Sequence, residues 1–264
     1  MGTLIDYATD KGVALITLSD PPVNAYTHEM FRELDTCILE ARFDADVHVI
    51  VLTGHGDKYF SAGANVNMLH EADATFKYYF CLHANETLSR LEQTPKLTIA
   101  AINGHAVGGG FEIALACDLR VSREGSHHIG LPEVNLGVLP GTGGTQRLSR
   151  LIGPSRAIEM MAESMMLSVE HAHAMGLVNK VWATPDHESF LRRVRDYAHE
   201  FTPPHRAALA VGRLKRAVQS GYDMSLDQGL ALERELQAEL FSSYDAQEGI
   251  VAFTQKRKPV FRGQ

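Results

Sequence analysis

An apolar run, Leu97 to Ile102, passes through Gly-His-Ala-Val-Gly-Gly-Gly-Phe-Glu at positions 104–112 into a short helical pattern, Phe111 to Cys117. At this strand-to-helix junction Gly108, Gly109 and Gly110 remove every Cβ. The missing side chains let backbone N–H groups approach a bound atom closely at a helix N-terminus. Glu112 falls in the first helical turn, where the helix dipole favours a carboxylate. Taken alone, these residues favour a tight turn with close helix-to-strand packing and an ordinary first-turn acid, because isolated glycine motifs are weak signals.

A second run, Val47 to Leu52, is continuous in Val, Ile and Leu, as strands covered on both faces are. It ends in Thr-Gly-His-Gly, whereas Leu97 to Ile102 ends in Asn-Gly-His, and a Gly-Ala or Gly-Gly element follows each. The two endings suggest a repeated strand-plus-helix unit. Val13 to Leu18 reads as a strand stopped by Pro21 and Pro22. Residues 27 to 42 read as a helix capped by Thr27, and Phe76 to Gln93 as a longer one closed by Pro95. Leu177 to Trp182 is the last strand candidate, and beyond it come helical stretches at 187–201, 204–220, 225–243 and 244–256. Thr202-Pro203-Pro204 separates the first two, which divides the chain into a core, 1–201, and a helical region, 202–264. Apolar stripes on these last helices are compatible with packing on their own core or on a neighbour.

With 32 Asp and Glu against 25 Lys and Arg, the net charge of −7 argues against a nucleic-acid-binding surface, so an anionic ligand needs a local basic site. The three cysteines, Cys37, Cys81 and Cys117, lie far apart in apolar helical patterns, and buried free thiols of a reducing compartment are expected. The stretch Met-Gly-Thr-Leu-Ile-Asp-Tyr carries no secretion or import signal, and no run approaches the ~18 apolar residues of a membrane span. A cytoplasmic protein with no membrane partner is the expectation. His171 and His173 are two apart and face different ways on a helix; His127 and His128 have no acidic or cysteine partner at ligand spacing, so no metal site is expected. Gly141-Thr142-Gly143-Gly144-Thr145 lacks the lysine of a phosphate loop and reads as a helix N-terminus lining a pocket.

Two further blocks accompany the glycine junction: Tyr-Phe-Ser-Ala-Gly-Ala-Asn-Val-Asn-Met-Leu at 59–69, and 129–147, which contains Leu131-Pro132-Glu133 and Gly141 to Arg147. In this order and spacing the three blocks closely resemble the enoyl-CoA hydratase (crotonase) family. The resemblance extends from Pro22-Val23-Asn24-Ala25 to Lys256-Arg257-Lys258-Pro259. It implies a crotonase-like α/β superhelix of ββα units with a C-terminal helical oligomerisation segment, assembled as a homotrimer or a dimer of trimers. It implies an acyl-CoA thioester as substrate and no separate cofactor, since coenzyme A is part of the substrate.

Adding water to a 2-enoyl thioester needs donors for the enolate oxygen, a base for the water and an acid for the α-carbon. Backbone donors aimed at a developing oxyanion contribute about 3 kcal/mol each. By resemblance, these donors are the N–H groups of Ala64 and Gly109, and Glu112 and Glu133 are the paired carboxylates. Environments that push two carboxyl pKa values apart let one be ionised and the other protonated; Glu112 is assigned as base and Glu133 as acid. Further substrate-binding positions implied are Ala25, Ala62, Asn65, Val66, Asn67, Gly141, Phe253 and Lys256. Relatives that isomerise a double bond generally lack the first carboxylate, and dehalogenases place an aspartate where this chain has Thr142, so hydration is the expected reaction. Isomerase, hydrolase and decarboxylase chemistry remain alternatives, as does an RNA-binding or idle relative, which the acidic balance and the glutamate pair oppose. Asn65 and Asn67 replace the acid and lysine common in family hydratases. Phosphate contacts then fall to Lys256, Arg257 and Lys258 of a neighbouring subunit, or the substrate is a thioester on a carrier protein. The segment 66–82 and Leu136, Val138 and Leu139 are expected to set pocket size.

Overall fold

A computed structural model describes residues 4–264; Met1 to Thr3, where the N-terminal stretch read above begins, lie outside the described residues. β1 (Ile5–Asp10) and β2 (Val13–Leu18) form an antiparallel hairpin whose two-residue turn holds Lys11 and Gly12 at φ 46° and 85°, the left-handed geometry that matches strand twist. α1 (His28–Phe43) is capped by Thr27, whose hydroxyl accepts from Met30 N–H, and it buries Met30, Phe31, Leu34, Ile38 and Ala41.

Three units of two strands and a helical segment follow. β3 (Val49–Gly54) and β4 (Tyr59–Ser61) lead to α2 (Val66–Glu71) and α3 (Ala74–Gln93). β5 (Leu97–Ile102) and β6 (His105–Val107) lead to α4 (Gly109–Leu115). β7 (Leu119–Arg123) and β8 (His128–Gly130) lead through a 3-10 turn, Glu133–Leu136, to α5 (Gly144–Ile152) and α6 (Pro154–Ala162). β9 (Met166–Ser168), α7 (Val169–Ala174) and β10 (Lys180–Trp182) come next. α8 (His187–His199), α9 (Ala208–Tyr222), α10 (Leu226–Phe241) and α11 (Tyr244–Thr254) end the chain.

The first strand of each unit enters one sheet, in the order β1-β2-β3-β5-β7-β10, and the second enters another, β4-β6-β8-β9. The larger sheet is parallel from β2 onward, and β4, β6 and β8 are parallel in the smaller one. The repeated strand-plus-helix unit is therefore a ββα unit. All residues of β3 and β5 are buried because alternate side chains enter different cores. Ile50, Leu52, Ala100 and Ile102 pack with Phe31, Phe60 and Phe111. Val49, Val51, Ile99 and Ala101 pack with Phe190, Val194 and Ala198 of α8. Each large side chain buried in this way contributes ~1.5–3 kcal/mol.

The helical end is fastened to this core through α9. Lys215 Nζ lies 2.9 Å from Asp118 Oδ2 and donates to Lys96 O, while Gln219 Nε2 donates to Asp118 Oδ1 at 2.6 Å. No residue of α10 is buried, and Leu214, Val218, Leu226, Phe241 and Ile250 are exposed apolar side chains. The three cysteines are free, but only Cys117 is buried; Cys37 and Cys81 are half-buried because their helices present them at the edge of the packed face. No helix of the described residues is long and apolar enough to cross a membrane.

Candidate active site

β3 and β5 both end in loops that approach each other beyond the C-terminal edge of the large sheet. Buried Asn103 ties these ends together: its Oδ1 accepts from Gly54 N–H, and its Nδ2 donates to the carbonyls of Gly54, Gly56 and Tyr59. Beyond β4 the chain turns at Gly63, with φ 92°. There Tyr26 N–H donates to Gly63 O at 2.9 Å and Asn65 N–H donates to Tyr26 O at 2.9 Å. This parallel bridge uses the flanking residues 63 and 65, so the N–H of Ala64 faces the opposite side and meets no acceptor among the described residues. Gly63 lies against the start of α4, where a β-carbon on it would stand 3.0 Å from Gly109 N. The N–H of Gly109 is a first-turn donor without an intrahelical partner, and no described residue accepts from it. Two uncommitted amides from separate segments are thus neighbours.

Glu112 is 1% exposed. Its Oε1 accepts from Thr142 N–H at 2.8 Å and from Gly144 N–H at 2.6 Å. The sequence placed this carboxylate under the dipole of its own helix. Instead it projects from α4 to the N-terminus of α5, because the Gly141–Thr145 segment brings bare amides to it. A β-carbon on Gly144 would stand 2.9 Å from Glu112 Oε1, so glycine is required for that approach. Burial raises the Glu112 pKa; the two amide bonds, the Thr142 side chain and the Arg147 charge oppose this in decreasing order. Arg147 itself is held by Glu92 of α3 in a two-pronged ion pair at 2.8 and 2.6 Å and donates to Thr142 O.

Glu133 follows Pro132 at the start of the 3-10 turn. Its carboxyl is pushed up to about 7, first by burial and then by the nearby Glu112 charge, with its own backbone N–H opposing. Its Oε2 is buried and has no hydrogen-bond partner among the described residues. Its Oε1 would lie 2.9 Å from a β-carbon on Gly108, whose φ of 55° also favours glycine. The glycine junction therefore seats Glu133 on one side and leaves an amide open on the other.

Of the remaining expected positions, Ala25 and Ala62 are half-buried, flanking Tyr26 and Gly63, and Ala62 N–H donates to Val23 O. Gly141 O accepts from Asn85 Nδ2, and Gly141 adjoins Cys81. Asn65 caps α2 by accepting from Met68 N–H, and Val66 and Asn67 are exposed at the start of that helix. Phe253, 85% exposed, and Lys256, also exposed, stand at the C-terminal end of α11, and neither side chain hydrogen-bonds to the residues above. The C-terminal tail instead packs near His48, at the N-terminal end of β3, with Phe261 N–H donating to Pro204 O. Leu136, Val138 and Leu139, with Val66 and Phe76 from the 66–82 segment, are exposed.

Sequence reasoning missed Tyr26. It is buried between Phe31 and Phe80, its hydroxyl lies 3.1 Å from Thr142 Oγ1, and a β-carbon on Gly109 would overlap that hydroxyl. A tyrosine one residue beyond Asn24-Ala25 carries no positional signal of its own, and Thr142 was read as part of a pocket-lining helix N-terminus and as the place of an absent aspartate, not as a partner of Tyr26. Among the described residues no group of three or more His, Cys, Asp or Glu side chains is placed to hold a metal ion.

A family model described as enoyl-CoA hydratase/isomerase matches residues 8–264. The chain is 36% identical over 264 residues to a probable enoyl-CoA hydratase of Bacillus subtilis (strain 168), covering 98% of this chain and 99% of that protein. It is also 36% identical over 247 residues to a short-chain-enoyl-CoA hydratase of Clostridium acetobutylicum, covering 93% and 92%. Among solved structures, an enoyl-CoA hydratase from Geobacillus kaustophilus HTA426 superposes with a TM-score of 0.95 at 42% identity, covering 100% and 98%.

Proposed function

Because the chain belongs to the enoyl-CoA hydratase/isomerase family, we propose that it is an enoyl-CoA hydratase, adding water across the C2=C3 bond of a 2-enoyl thioester to give a 3-hydroxyacyl thioester. The thioester oxygen accepts from the N–H groups of Ala64 and Gly109, whose freedom from other acceptors supports this role. Glu112, steadied by two amides, takes a proton from water as its oxygen bonds to C3. Electrons move onto the thioester oxygen as an enolate, and Glu133 delivers a proton to C2. The observation that carries this reading is the contrast between the two carboxyls: one is held by backbone donors, while the other has an unpartnered oxygen and retains its proton to about 7. Loss of the conjugated thioester absorbance of crotonyl-CoA tests it. No loss at high enzyme concentration moves the assignment to an isomerase, hydrolase or decarboxylase using the same enolate.

No cofactor is required on this route. Residues 202–264 serve as the oligomerisation region of a homotrimer or a dimer of trimers, a reading supported by the exposed apolar faces of α9 to α11. A neighbour then supplies Phe253 and Lys256. Three free cysteines and the acidic balance fit a cytoplasmic protein without a nucleic-acid or membrane partner. The exposed, uncharged Asn67 favours one second reading, a pantetheine thioester on a carrier protein, because an amide does not replace a phosphate-binding lysine. Comparing crotonyl groups on coenzyme A and on a carrier protein separates the two.

A further inference from the structure

Cys81, Asn85, Leu88 and Glu92 follow one another on α3 at spacings of four, three and four residues, which is one stripe of a helix. Leu88 is buried in the core, and the other three meet segment 141–147. A β-carbon on Gly141 would stand 3.1 Å from Cys81 Sγ, and Asn85 Nδ2 donates to Gly141 O at 3.3 Å. Glu92 holds Arg147 by its two-pronged pair, and Arg147 Nη1 donates to Thr142 O at 3.1 Å. The two gripped carbonyls belong to the peptide groups on either side of Thr142. Both peptides are trans, so in each plane the C=O and the N–H point opposite ways. Holding Gly141 O from α3 therefore aims Thr142 N–H away from that helix, where it meets Glu112 Oε1. Holding Thr142 O fixes the next plane and with it the approach of Gly144 N–H to the same oxygen. Gly143 leaves the room for this, since a β-carbon there would overlap Arg147 Nη1 and stand 3.5 Å from Asn85 Oδ1.

We propose that Asn85, Glu92 and Arg147 are positioning residues, a clamp from α3 that sets the two amides on which Glu112 rests and so keeps Glu112 the ionised base of the reaction. The role rests on the hydratase reading, though the geometry of the clamp does not. Burial opposes the charge of Glu112, and the bonds from Gly144 and Thr142 counter it more strongly than the Arg147 charge does. The clamp therefore acts on the carboxylate chiefly by aiming those amides. Other charged or titratable groups facing Glu112 are Glu133 from the 3-10 turn, Cys81 from α3 and Tyr26 ahead of α1.

Three variants of the full chain loosen the clamp and differ in charge. Asn85→Ala removes one grip and leaves every charge in place. Arg147→Lys keeps the charge, but an ammonium does not reproduce the fork that spans Glu92 and Thr142 O. Glu92→Gln removes a negative charge, which by charge alone would ease the ionisation of Glu112. Misplaced amides raise the Glu112 pKa, so the acidic limb of the kcat profile for crotonyl-CoA moves to higher pH in all three. The expected displacement is about half to one pH unit, with kcat down about tenfold and KM unchanged, the scale of one hydrogen bond to a charged group. Arg90→Lys is the control: Arg90 lies on the same helix and makes a comparable two-pronged pair with Asp35, at 2.6 and 3.0 Å, but has no bond to segment 141–147, and its limb stays at the parental position. Thermal melts identify any variant that fails to fold, and the others carry the test. An unmoved limb in Asn85→Ala, a limb that moves down in Glu92→Gln, or an equal displacement in Arg90→Lys overturns the proposal. Infrared titration of the Glu112 carboxyl, in a Glu133→Gln background with Glu112→Gln added as the blank, reads the same shift without turnover, and a parental titration in Asn85→Ala overturns the clamp. If the parent fails to hydrate crotonyl-CoA but this titration shifts, the hydratase reading falls and the clamp stands.

Discussion

At the scale of single residues, the site is governed by where two carboxyls find hydrogen-bond donors. Glu112, which is buried, has two backbone donors, whereas half-buried Glu133 has an oxygen with none, so their proton affinities separate. The value for Glu133 rises from 4.5 to about 7 in the folded protein. Between those values the folded state keeps a proton that the unfolded chain releases, so the stability tied to protonated Glu133 is full below pH 4.5 and is lost as pH rises through 7. Glu133→Gln removes that loss. The variant is expected to be more stable than the parent at pH 8, by about 1–3 kcal/mol, and to match it near pH 4, as thermal melts at both values would reveal. In the active enzyme an acid must hold its proton, so kcat/KM falls as pH rises above about 7. A profile still climbing at pH 9 would remove Glu133 from the acid role.

At the scale of elements, the sequence was most informative where burial is complete. Leu97–Ile102 appears with its expected bounds and Val47–Leu52 shifts by two residues, because strands packed on both faces leave an unbroken apolar run. β1 was invisible for the converse reason: it is an edge strand with one fully buried residue, Ile5, and its pairing comes from the Lys11-Gly12 turn. The short strands of the smaller sheet, three residues each, are too brief to show a period. In the same way, Glu112 and Glu133 were legible through motif resemblance, whereas Tyr26 depends on long-range packing against Thr142, 116 residues away. The link between α9 and the core was also hidden, since Lys215 and Asp118 are distant charged residues that look solvent-facing in sequence. Their side chains are only 4% and 12% exposed. Lys215→Met leaves Asp118 short of a buried partner and is expected to destabilise the fold by about 3 kcal/mol. Denaturant midpoints report that loss, while turnover per folded chain stays near the parental value.

At the scale of the whole molecule, the active-site strands end at one edge of the large sheet and the C-terminal tail lies near the other, and Phe253 and Lys256 stand exposed at the end of α11. In the proposed trimer a neighbour covers the exposed apolar faces of the last helices. Light scattering at micromolar concentration is expected to give three or six times the 29.1 kDa chain mass, and a monomer would contradict that assembly. Within the assembly, the proposed hydration needs Glu112, which takes the proton of water, and Glu133, which delivers a proton to C2, to act as a unit. The most direct measurement is hydration of crotonyl-CoA by Glu112→Gln, Glu133→Gln and the double variant, alongside binding of a saturated acyl-CoA. Each single change is expected to lower turnover by ~10²–10⁴ and the double by far less than their product, with binding unchanged. Turnover within a few fold of the parent in Glu112→Gln, or losses that multiply in the double variant, would contradict it.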